Sequence, residues 1–195
     1  MALPAQYAQN ITLLDIRLAR VYLPILVELA RQRTTCTYTA LVDRAKAEHP
    51  DRPEVQQAIP VSTGRRLEVI RLFCEAERLP DLAALVTSKG SGECGSFYIR
   101  HFDPVAARAA VFAKDWNEVL PDIDGYFDHT VRLVTPRPYR KQPEAKRLMA
   151  DHHRENRDRY PKEIAAQRGF ILEMIAEGFD PSEAFAAAVA QMTQT

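Results

Sequence analysis

The chain has 195 residues, of which 26 are Lys or Arg and 26 are Asp or Glu, for a formal charge of zero; 46% are hydrophobic and 27% charged. These proportions exclude wholesale disorder, a collagen-like fibre and a strongly basic nucleic-acid coat. No apolar run approaches the ~20 residues of a membrane helix and no basic-then-apolar leader is visible, so no membrane contact is expected. Cys36, Cys74 and Cys94 make no even disulfide framework, and a reducing cytoplasm is the expected compartment.

The zero total hides an uneven distribution. Residues 1–105 carry 13 basic and 12 acidic side chains (+1), 106–131 carry 2 and 5 (−3), 132–168 carry 11 and 5 (+6), and 169–195 carry none and 4 (−4). A basic block between acidic ones makes a local field that the sum conceals.

Helical signals open the chain. Asn10 precedes a stripe of Ile11, Leu14, Leu18, Val21 and Ile25, spaced by three and four, as in a core-facing helix. Pro24 is expected to kink or split it. Thr37 caps a short helix with Leu41 and Ala45 on one face. The stretch with Pro50, Pro53 and Pro60 reads as a connection. Ser62 or Thr63 then opens a helix with Leu67, Ile70 and Cys74 on its stripe, ended by Leu79-Pro80. LAALVTS, a turn with Gly90, Gly92 and Gly95, and SFYIRHF then read as a β-hairpin, with Phe97 and Ile99 alternating with Tyr98 and Arg100. Asp103-Pro104 starts a helix expected to run to about Leu120. PDIDGYFDHT reads as a loop, and Val131 to Val134 as a short edge strand before a proline-punctuated basic arm. Pro143 opens a very polar helix anchored by Leu148 and Met149. Pro161 opens a helix with Ile164, Ile171, Met174 and Ile175 inward and Gly178 at its C-cap. Asp180-Pro181 starts a last helix with Phe185 and Val189.

The expected fold is mainly α with a small β-hairpin: a winged helix-turn-helix plus a C-terminal helical extension. Its divisions are 1–102 for the winged module, 103–130 for a connecting helix and loop, and 131–195 for the basic arm and last helices. Over residues 21–100, Thr37, Tyr38, Leu41, Gly64, Leu67 and Pro80 resemble the C-terminal DNA-binding domain of DNA alkyltransferases and alkyltransferase-like proteins. That resemblance implies a DNA-facing scaffold. The family's Pro-Cys-His-Arg nucleophile is missing, and Cys94 has no adjacent histidine to activate it, so alkyl transfer is not expected.

In a helix-turn-helix the second helix leads into the major groove with its N-terminus. Here that tip is Ser62, Thr63, Gly64, Arg65 and Arg66, offering hydroxyls, amides and guanidiniums to phosphates and guanine edges. Arg71 lies further along the helix. Lys89 at the wing tip, Arg100 at its base, and Arg137, Tyr139, Arg140 and Lys141 in the arm extend the candidate surface for double-stranded DNA. The expected function is therefore non-enzymatic DNA binding, as a regulator or accessory factor similar to small proteins of bacteria, phages or plasmids. The alternative is an adaptor or inhibitor that turns the same scaffold against a protein complex. The last helices are candidates for pairing two chains into a homodimer.

Catalytic patterns are weaker. His129, Glu144 and His153 follow H-x14-E-x8-H with Asp128 ahead, which resembles HNH nucleases, but the middle residue is Glu and Pro136, Pro138 and Pro143 interrupt the needed strands. Asp151-His152-His153 sits in a polar helix, and Asp122, Asp124 and Asp128 lack the central glycine and glutamate of a calcium loop. No P-loop, GxSxG or CxxC pair occurs. No catalytic residue, metal or cofactor is expected.

Overall fold

A computed structural model describes residues 11–117, 122–134 and 137–192. The expected cap Asn10, the expected helix end near Leu120, and Pro136 lie outside them. The fold is mainly helical, and it divides into two compact units, Met1–Thr135 and Pro136–Thr195.

The first unit is built around α1, Leu13–Gln32. Thr12 and Asp15 form a reciprocal capping box at its start. The apolar stripe is wider than one face: Ile16, Leu18, Tyr22, Leu23, Ile25, Leu26 and Leu29 are all buried, so the helix is wrapped rather than laid on a surface. Pro24 does not split it. Its ring stands on an exposed position, where the missing amide costs one helical bond without disturbing the packing.

A two-residue strand β1, Cys36–Thr37, leads into α2, Tyr38–Glu48, capped as expected by the Thr37 hydroxyl, which accepts from the Ala40 amide at 3.1 Å. A single turn of helix, α3 (Pro53–Gln56), and a 3-10 turn (Pro60–Ser62) carry the chain into α4, Thr63–Ala76. α4 packs along α1.

The expected hairpin does not form. Leu82–Leu85 is a 3-10 turn whose four side chains are all buried, and Val86–Thr87 (β2) pairs in parallel with β1, Cys36 opposite Val86 and Thr37 opposite Thr87. The glycine turn is present, with Ser88 donating to the Glu93 carbonyl and Gly92 at φ 70°. Beyond it the chain coils into α5, Ser96–His101. Two ring pairs at helical spacing favour the coil: Phe97 with His101 at 4.6 Å and Tyr98 with Phe102 at 5.1 Å between centroids. The Tyr98 hydroxyl donates to Asp81 at 2.7 Å, and the Gly95 amide donates to the Tyr38 hydroxyl at 3.0 Å. These bonds fix the start of the coil against the body of the unit.

Asp103 caps α6, Pro104–Ala113, as its sequence predicts, but the helix does not run on towards Leu120: Lys114 is already extended. The stretch expected to be a loop and an edge strand is instead α7, Ile123–Leu133, with Val131 in its last turn. Asp122 accepts from the Gly125 amide at 2.9 Å, and Phe127 stacks on Phe73 with centroids 6.0 Å apart. Arg20 of α1 reaches Asp124 at 2.6 Å and Asp128 at 2.9 Å, one turn apart on the same helix.

The second unit contains α8 (Gln142–Glu155), 3-10 turns at Arg157–Arg159 and Lys162–Gln167, α9 (Arg168–Ala176) and α10 (Pro181–Met192). α9 packs on both α8 and α10. Its end is the glycine stop that the sequence predicts. Gly178 has φ 98° and donates to Ile175, while Phe179 donates to Met174.

Candidate interaction surface

The tip of α4 is part of the interior. Ser62 is 1% exposed, Thr63 0% and Arg66 1%. The reason is Asp15, fully buried in the first turn of α1. Arg65 reaches its Oδ2 at 2.6 Å and Arg66 its Oδ1 at 3.1 Å, while the Thr12 amide donates to Oδ2 at 3.0 Å. Burial by itself would raise the Asp15 carboxyl; the two guanidiniums and the Thr12 amide overcome that and hold it below the ordinary carboxylate range. Arg66 also donates to the Ser62 carbonyl. Gly64 alone at the tip is exposed, with open space where a Cβ would stand.

The other expected DNA-facing cations are distributed differently. Arg71 is clamped by Glu68 and Glu75, which raise its pKa, and lies 5.0 Å above the Phe102 ring. Arg137 lies 3.9 Å over the Phe179 ring. Arg140 donates to the Ile175 carbonyl at 3.0 Å and the Phe179 carbonyl at 2.7 Å, at the C-terminal end of α9, where a cation complements the helix dipole. The segment 137–141, expected to be a basic arm, is thus held to the second unit by its arginines. Lys89, Arg100, Tyr139 and Lys141 are exposed.

Sequence reasoning missed an apolar surface. Phe97 is 47% exposed, Ile99 47%, Phe102 36% and Val105 69%, all within nine residues along α5 and the start of α6. The strand reading put Phe97 and Ile99 on one side and Tyr98 and Arg100 on the other. The signal that places them outside is the helical spacing of Phe97 with His101 and Tyr98 with Phe102.

Burial disfavours the thiolate form of all three cysteines. Burial pushes Cys36 up to about 11 and Cys74 up to about 12, and raises Cys94 despite Arg108 lying 3.9 Å from its sulfur. Asp128, of the nuclease-like pattern, is engaged by Arg20. No cluster of three His, Cys, Asp or Glu side chains is placed to hold a metal among the described residues, and no helix among them is long and apolar enough to cross a membrane. Compared with protein-family models, curated proteins and solved structures, the chain matches none.

Proposed function

We propose that the chain is a protein-interaction module, an adaptor or inhibitor, whose docking surface is the apolar face of α5 and the start of α6. The observation that carries this reading is the exposure of Phe97, Ile99, Phe102 and Val105 together, while Arg65 and Arg66 are committed to a buried carboxylate. Large apolar side chains left exposed close together along the chain lower their free energy by meeting another apolar surface. Arg100 and His101 on the same helix suit acidic groups at the partner's edge. The free thiols suit a reducing cytoplasm.

The test pairs two measurements. A photoreactive phenylalanine at position 97 is expected to cross-link one protein in the native cell extract, an adduct lost with Ile99→Glu. The same group at exposed position 43 gives none. A duplex shift assay at about 50 mM salt is expected to show no binding. Salt-sensitive duplex binding abolished by Lys89→Ala/Arg100→Ala would restore the DNA-binding reading in its place.

A further inference from the structure

The second unit contains a cavity of about 700 Å³ whose residues all come from α8, the 3-10 turns after it, α9 and α10. Its size falls in the ~300–1,000 Å³ range of small-molecule sites. The floor is apolar: Ile164, Ile171 and Phe185 are each at most 5% exposed. Phe185 is braced from two sides, by Tyr160 with centroids 4.8 Å apart and by His152 at 5.1 Å. Tyr160 and His152 are themselves joined at 2.8 Å. This wall is therefore formed before any ligand arrives.

The rim is of the opposite character. Arg157, Lys162 and Arg168 all line the cavity and are exposed, and none of the three forms an ion pair among the described residues. Asp158 is the one carboxylate in the lining, against three basic side chains. Several arginines of the first unit are instead held by carboxylates: Arg65 and Arg66 by Asp15, Arg71 by Glu68 and Glu75, Arg20 by Asp124 and Asp128. Three cations without ion pairs around an apolar floor suit a ligand that is apolar at one end and anionic at the other.

We propose that this cavity binds a small anionic amphiphile, an alkyl chain ending in a carboxylate. The chain lies against Ile164, Ile171 and Phe185, and the carboxylate meets Arg168 and Lys162 at the rim. Burying the alkyl chain supplies most of the affinity. The cations supply the preference for an acid over its neutral analogue, because an arginine offers a carboxylate two parallel hydrogen bonds.

Calorimetric titration of the full chain with decanoate tests this. One decanoate is expected to bind per chain, with 1-decanol about tenfold weaker. Arg168→Ala/Lys162→Ala is expected to weaken decanoate by about tenfold while leaving decanol unchanged. Both substitutions are at exposed positions, so folding is not at risk. Ala165→Trp, at an exposed lining position, is expected to abolish binding of both ligands by filling the space. Arg154→Ala, whose side chain pairs with Asp151, leaves all of it unchanged. The proposal is overturned by no decanoate binding up to about 1 mM, by decanol binding as tightly as decanoate, or by binding that survives Ala165→Trp. Binding only to phosphatidylglycerol vesicles overturns it as well, since a bilayer surface and not a single amphiphile would then be the ligand.

Discussion

Arg66 and Asp15 face each other across 3.1 Å with side chains 1% and 0% exposed, tying the first turn of α4 to the first turn of α1. Removing the carboxylate takes the Asp15 charge away from two guanidiniums, one of them wholly out of water. Asp15→Asn is expected to destabilise the first unit by about 3–5 kcal/mol, measured by urea unfolding. The double variant Asp15→Leu/Arg66→Met is expected to recover most of that loss, since a well-packed apolar pair needs no counter-charge. A double variant no more stable than Asp15→Asn would count against the ion pair as the source of the effect.

Two carboxylates, Asp15 buried and Asp81 half-buried, act on stability with opposite sign as pH changes. The Asp15 pKa is depressed in the folded chain, so its contribution is fully present above the unfolded value of about 3.9 and is lost as pH falls through the folded value. The Asp81 pKa is raised by burial, more than the Tyr98 hydroxyl and the Ala83 amide lower it. Its folded form binds a proton more readily than the unfolded chain, so stability falls as pH rises from about 4 through the folded value. Asp81→Asn is expected to flatten that fall, and Asp15→Asn to flatten the acid limb below it. Urea midpoints taken across the acid range for both variants check the signs.

Arg78 holds φ 55° just after α4, at a position where its amide donates to Glu75 and the next amide donates to Cys74. That left-handed turn strains any side chain but glycine. Arg78 is exposed and forms no ion pair among the described residues, so Arg78→Gly is expected to stabilise the first unit by about 0.5–1 kcal/mol and to raise the Tm seen by circular dichroism.

Gly178 presents the reverse case. It has φ 98°, and a Cβ there would stand 2.7 Å from both the Arg137 Cβ and the Pro138 carbonyl oxygen. Gly178→Ala is expected to cost the second unit about 1–3 kcal/mol, with the first unit's stability unchanged. Hydrogen exchange resolved by segment distinguishes the two units.

Phe97→Asp and Ile99→Glu replace side chains that are already half in water. They are expected to change stability by no more than about 0.5 kcal/mol while abolishing the cross-link to a partner. A large loss of stability would show that these side chains support the fold.

What the sequence made legible is what short-range chemistry controls. The period of α1, the Thr37 and Asp103 caps and the Gly178 stop each depend on residues within one or two turns. SFYIRHF misled because large apolar residues alternate in it, yet Phe97 and Ile99 face solvent. The coil there is fixed by Tyr98 reaching Asp81, 17 residues away. α7 was hidden by its aspartates and Gly125. The spacing of Phe127, Thr130 and Val134, with Asp122 as cap, carried its signature. The α4 tip misled most. Its chemistry does suit a phosphate, but its partner is a carboxylate 50 residues upstream, which no local pattern encodes.

The way Arg140 is held bears on how the polypeptide can be dissected. Its backbone amide donates to the Ala176 carbonyl and its side chain to Ile175 and Phe179, while Arg137 roofs the Phe179 ring. A C-terminal fragment that begins at Gln142 would leave those carbonyls without donors and that ring without its cover. The five residues 137–141 therefore travel with the C-terminal half, and a cut made after them would yield a piece whose poor behaviour reflects the missing plug and not a need for the rest of the chain.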